Sequence, residues 1–115
     1  MKSLPQLLLL LLFAGCYFAP DIPGFDQKAW ELSLEECSDY RTIKSKELLI
    51  GNESYLLTLN QNELKELLGL PDQHQLFNRN QKFFYYQLDC DATHQLAVRF
   101  DALGRVKEVT IEKTQ

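Results

Sequence analysis

Two histidines and three cysteines are the residues of this 115-residue chain best suited to chemistry, and one short segment holds a member of each type. In Asp89-Cys90-Asp91-Ala92-Thr93-His94 a loop carboxylate could orient the imidazole for acid–base work, because His94 lies within reach of Asp89 and Asp91 across a tight turn. The plainer reading is a polar hairpin loop. Cys90 and His94 amount to two ligands, short of a zinc site, and no C-x-x-C is present. His74, the other histidine, also sits near a turn signal. No serine stands in a nucleophile elbow, none of the five glycines builds a phosphate loop, and H-E-x-x-H is absent. The chain therefore reads as a non-enzyme, and no cofactor or metal is expected.

The cysteines read better as an anchor and a staple. Lys2 gives a positive start, Leu7 to Leu12 with Phe13 an apolar stretch, and Ala14-Gly15 the small residues a signal peptidase needs. Ten of the first fifteen residues are apolar, yet the run from Leu7 to Ala14 is eight residues long, and spanning a bilayer takes about 20. Residues 1–15 thus read as a secretory leader. Leu12-Phe13-Ala14-Gly15-Cys16 resembles the lipobox of bacterial lipoproteins, with Phe13 where that family usually has Leu. The resemblance implies cleavage before Cys16 and diacylation of its thiol, whose acyl chains would add about 0.8 kcal/mol of membrane affinity per buried CH₂. The alternative is an ordinary signal peptide that leaves Cys16 a free thiol.

With Cys16 so used, Cys37 and Cys90 are left, and export favours their oxidation. A Cys37–Cys90 disulfide would close a ring of 54 residues, stabilising by about 4 kcal/mol on the chain-entropy model.

These residues need a scaffold, and composition bounds it. Beyond the leader, 42 of the remaining 100 residues are apolar, enough for one small folded domain. Loss of Lys2 changes the net charge from −4 to −5, with 11 basic against 16 acidic residues. That balance argues against nucleic acid, whose phosphates demand surplus Lys and Arg. Residues 16–24 read as the lipidated N-terminus and tether, broken by Pro20 and Pro23-Gly24. Residues 25–115 read as a single α+β domain, with Phe25 and Trp30 marking where the tether docks.

Within it, a helix is expected over residues 33–49, begun by a Ser33–Glu36 capping-box spacing and continued by Leu34, Cys37, Tyr40 or Arg41, Ile43 and Leu48. A second helix is signalled more sharply. Asn60 caps, Glu63 follows three residues later, Leu59 and Leu64 fill the staple positions, Leu67 and Leu68 extend the stripe, and Gly69 with Pro71 ends it. Beyond Pro71 the period becomes two. Strands are expected at Gln73 to Phe77, at Lys82 to Cys90 with Phe84, Tyr86, Leu88 and Cys90 on one face, at Leu96 to Phe100, and at Val106 to Ile111. Asn78 to Asn80 and Asp101 to Gly104 are turns. The expected fold is two helices packed on one face of a three- to four-stranded antiparallel sheet.

Glu63 to Pro71 (E-L-K-E-L-L-G-L-P), Tyr85-Tyr86, and Leu96 to Asp101 followed by Gly104-Arg105-Val106 resemble, in this order, the BamE-like (SmpA/OmlA) family of small bacterial outer-membrane lipoproteins. The match covers about residues 56–112. The approach to the second helix, Leu57-Thr58-Leu59-Asn60, departs from that family's pattern, as does Cys37. The resemblance implies a non-catalytic adaptor on the periplasmic side of the outer membrane that supports β-barrel insertion. Tyr17, in place of the Asp that retains enteric lipoproteins at the inner membrane, agrees with that location.

The alternating strand from Lys82 carries aromatics on both faces. If Phe84, Tyr86 and Leu88 face the helices, Phe83 and Tyr85 face outward, with Arg99 beside them on the next strand. Phe83, Tyr85 and Arg99 are the candidate contacts for an envelope protein partner; the competing reading is cross-strand packing that stiffens the sheet. A secreted ligand-binding or inhibitor-like module, and an enzyme using the Asp89–His94 loop, are the alternative functions.

Overall fold

The sharpest local signals lie around Asn60, and the chain folds there as they dictate. In the computed structural model, which describes residues 21–77 and 81–114, Asn60 accepts from the Glu63 amide at 2.8 Å and Glu63 accepts from the Asn60 amide at 3.0 Å. This reciprocal cap opens a helix over Gln61–Leu68 that buries Leu64, Leu67 and Leu68 and ends at Gly69 with φ +83°, a conformation glycine adopts at no steric cost. The carbonyls at a helix end lack helical partners, and here two side chains from elsewhere supply them. Trp30 Nε1 donates to the Leu68 carbonyl at 3.1 Å, and the Tyr86 hydroxyl to that of Gly69 at 2.9 Å.

The expected helix over residues 33–49 forms only in its second half, and a short helix precedes it. Helix α1, Gln27–Leu32, is capped by Asp26, whose carboxylate accepts from the Lys28 and Ala29 amides. Turns follow, and α2, Tyr40–Lys44, runs directly into a π-helical turn at Ser45–Leu49. The Gln61–Leu68 helix is therefore α3. Ser33 ends α1 instead of opening a helix. Its buried hydroxyl accepts from the Arg41 amide at 3.4 Å and lies 3.2 Å from the Ser38 carbonyl, offering the backbone a partner other than the helical ladder. Cys37, at φ +49°, then turns the chain out of helical geometry.

Four strands form one antiparallel sheet in the order β1 (Gln73–Phe77), β2 (Gln81–Gln87), β3 (His94–Phe100) and β4 (Val106–Lys113). The expected turn at Asn78 to Asn80 lies outside the described residues, as do the leader, Cys16 and residues 17–20. Phe84, Tyr86, Leu96, Val98, Phe100, Val106 and Val109 join Leu88, Trp30 and the buried leucines of α3 in one apolar cluster. Cys90 does not share this face: β2 stops at Gln87 and Cys90 is exposed. Ile22 is also buried in the cluster, at 4% exposure, so the chain packs on the domain ahead of Phe25. The Cys37–Cys90 disulfide is present, with 5.3 Å between Cα atoms, and ties the turn before α2 to the β2–β3 loop.

Candidate interaction face and the Asp89 to His94 loop

Alternation along β2 sends Phe84 and Tyr86 into the core, so Phe83 and Tyr85 project from the other face. Their rings lie parallel within 8°, with centroids 5.9 Å apart. Pairing extends this face across the sheet: Gln75, Phe83, Arg99 and Glu108 form one row, and Gln73, Tyr85, Ala97 and Thr110 the next. Arg99 therefore sits directly beside Phe83, as expected. It is also committed to Glu108, with Nε 3.4 Å from Oε1. Phe83 is half-buried, whereas Tyr85 is only 8% exposed. The Tyr85 hydroxyl donates to Gln75 Oε1 at 3.5 Å, and burial, followed by the Glu112 charge, pushes its pKa up from the usual phenol range.

Phe83 and Tyr85 line a shallow hollow of about 580 Å³ with Gln73, Gln75, Gln95, Glu112 and Thr114, and Arg99 is not part of its lining. The glutamines and Glu112 are the part of the face that sequence reasoning missed. Gln73 and Gln75 share the two-residue spacing of Phe83 and Tyr85, which was the available signal. Gln95 Nε2 donates to Glu112 Oε1 at 2.8 Å, joining β3 to β4 across the floor of the hollow.

The Asp89 to His94 loop closes on itself. Asp89 accepts from the Thr93 amide at 2.8 Å and from the Thr93 hydroxyl at 2.6 Å. With that proton given to Asp89, the Thr93 oxygen can accept from His94 Nδ1, 3.0 Å away. The direct His94–Asp89 separation is longer, 3.7 Å, and both side chains are substantially exposed. The two Thr93 hydrogen bonds, side chain before backbone, hold Asp89 below the usual carboxylate range. Chemically the arrangement can orient an imidazole through a hydroxyl, but its immediate effect is to shape the turn, in which Ala92 has φ +55°. Among the described residues no group of three His, Cys, Asp or Glu side chains could hold a metal ion.

Compared with known proteins, the chain matches no family model, no curated protein and no solved structure.

Proposed function

We propose that this is a non-catalytic lipoprotein of the bacterial envelope, anchored through acyl chains on Cys16 and acting as a protein-interaction adaptor on the periplasmic side of the outer membrane. The BamE-like resemblance of residues 56–112 supports this reading, and extends it to a part in outer-membrane protein assembly or envelope integrity. The observation that carries it is the Phe83–Tyr85 stack on the face of the sheet turned away from the core, flanked by Arg99. Aromatic side chains and arginine are enriched where protein partners meet. In this reading Phe83 supplies contact area, Tyr85 holds it in place from beneath, and Arg99 with Glu108 forms the charged rim.

Two measurements on the full chain expressed in an enteric bacterium test the proposal. Mass spectrometry of the membrane fraction is expected to find a mature N-terminus at Cys16 carrying a diacylglyceryl group. A photo-crosslinking amino acid at position 83 is expected to capture one envelope protein, and Arg99→Gln, which removes the charge without setting two carboxylates across the strands, to weaken that adduct with little change in melting temperature. An unmodified Cys16, or an adduct indifferent to Arg99, would refute it. The glutamine-lined hollow favours a second reading, a small ligand-binding module that is secreted; a free Cys16 together with saturable binding of a small neutral ligand would establish that one instead.

A further inference from the structure

The two edges of the sheet are treated differently. Along β4 the loop after the π-helical turn seals the edge with backbone hydrogen bonds. Gly51 donates to the Val109 carbonyl at 3.4 Å, Thr58 to that of Val106 at 2.9 Å, and Val106 to that of Leu59 at 2.8 Å. Asn60 and Arg105 add an isolated bridge. At the opposite edge, β1 has β2 as its one neighbour among the described residues. Its sequence, Gln73-His74-Gln75-Leu76-Phe77, contains no proline, lysine or carboxylate, the residues by which edge strands usually discourage pairing.

Chemistry beside this edge says what would pair with it. Lys65, Leu70, Pro71, His74, Lys82 and Phe84 line a hollow of about 300 Å³. Leu70 is 78% exposed and Leu76 70%, two of the most exposed large apolar side chains in the described structure. The ammonium groups of Lys65 and Lys82, brought together from α3 and β2, lie 5.7 and 5.4 Å from the centre of the Phe84 ring. Lys82 also donates to Gln61 Oε1 at 2.9 Å. Neither lysine forms an ion pair among the described residues, in a chain whose net charge is −4.

An open backbone edge gives affinity without sequence preference, and the side-chain pockets next to it select the partner. We infer that the β1 edge accepts an extended acidic segment of another protein as a fifth strand, its carboxylates meeting Lys65 and Lys82 and its apolar side chains covering Leu70 and Leu76. A second copy of this chain is the poorer occupant: its β1 carries no carboxylate and would bring two more lysines toward these two. Gln73 and Gln75 of β1 border the Phe83–Tyr85 face, but the side chains assigned here, Lys65, Leu70, Leu76 and Lys82, are not among those assigned there, so substitutions at Lys65 and Lys82 test this edge by itself.

The test uses a short synthetic peptide alternating glutamate with valine or leucine, and its counterpart with lysine for glutamate. The acidic peptide is expected to bind, to slow amide hydrogen exchange at residues 73–77, and to weaken as salt is raised. Lys65→Gln/Lys82→Gln should weaken it and Lys65→Glu/Lys82→Glu should weaken it further, by about tenfold, with unchanged circular dichroism in the neutral variant. Equal binding of the lysine peptide, binding without protection of β1, or no binding at millimolar peptide would overturn the inference. So would concentration-dependent protection of β1 in the protein alone, which would assign the edge to a second copy.

Discussion

The Arg41 guanidinium lies over the Trp30 ring, 4.8 Å from its centre, while its Nε donates at 2.8 Å to the carbonyl of that same tryptophan. Its Nη1 reaches on to the Gln87 carbonyl at the end of β2, also at 2.8 Å. Trp30 is fully buried, with Tyr86 packed edge-on against it at 6.4 Å. One cation thus joins α1, α2 and the sheet. Burial lowers the Arg41 pKa and the nearby Asp72 charge opposes that shift; a guanidinium keeps its proton in such a site, where a lysine would be less secure.

Removal of this cation takes a donor from two carbonyls, of which that of Trp30 keeps the Ser33 amide at 3.3 Å, and uncovers a tryptophan face. Arg41→Met keeps much of the apolar bulk but supplies no donor, and is expected to cost about 2–4 kcal/mol. Arg41→Lys cannot donate in two directions from one planar fork and should recover under half of that loss. Urea unfolding of the three proteins checks the order; a loss under about 0.5 kcal/mol for Arg41→Met would mean that the contacts contribute nothing net.

Arg41 also marks where the sequence stopped being readable. Helix α3 was legible from end to end because every signal for it is local: the Asn60–Glu63 cap, the leucine stripe and Gly69 lie within ten residues. The strands and the turn at Asp101 to Gly104 were legible for the same reason, through two-residue alternation and a glycine at φ +82°. Over residues 33–49 the apolar spacing ran on as if one helix continued, yet the chain breaks at Cys37, whose partner Cys90 is 53 residues away. Arg41 read as one of two interchangeable helix positions because the carbonyls that bury it come from Trp30 and Gln87. At the candidate face, alternation alone put Phe83 and Tyr85 outward. Glu112 joins them through the pairing of β2, β3 and β4, which no short window of sequence contains.

The disulfide joins residues 53 apart in the sequence, yet both Cys37 and Cys90 are exposed. Its stabilisation comes mainly from restricting the unfolded chain, about 4 kcal/mol on the entropy model, and a reductant can reach it without prior unfolding. Cys37→Ser/Cys90→Ser is expected to lose about 2–4 kcal/mol in urea unfolding. Dithiothreitol should bring the wild type to the same midpoint while native circular dichroism persists at low urea. A reduced protein as stable as the oxidised one would show that the loop between these residues is already ordered when unfolded.

Acid should act through the turns at either end of β3. Asp101 accepts from the Leu103 amide at 2.9 Å and the Arg105 amide at 3.0 Å. The Arg105 amide first, then that of Leu103 and the charges of Lys107 and Arg105, hold its carboxyl below the usual range; Thr93 does the same for Asp89. A carboxylate with a depressed native pKa stabilises the fold above its unfolded value of about 3.9, and that contribution is lost as pH falls through the native value. Stability is therefore expected to be level above about pH 5 and to decline below it. Asp101→Asn keeps an acceptor for both amides but removes the charge, so the variant should melt below the wild type at pH 7 and meet it in strong acid, with a shallower slope between. Melting temperatures of both proteins from pH 7 down to 2 decide the matter: parallel curves would place the acid sensitivity in other carboxylates and leave the Asp101 turn indifferent to its charge.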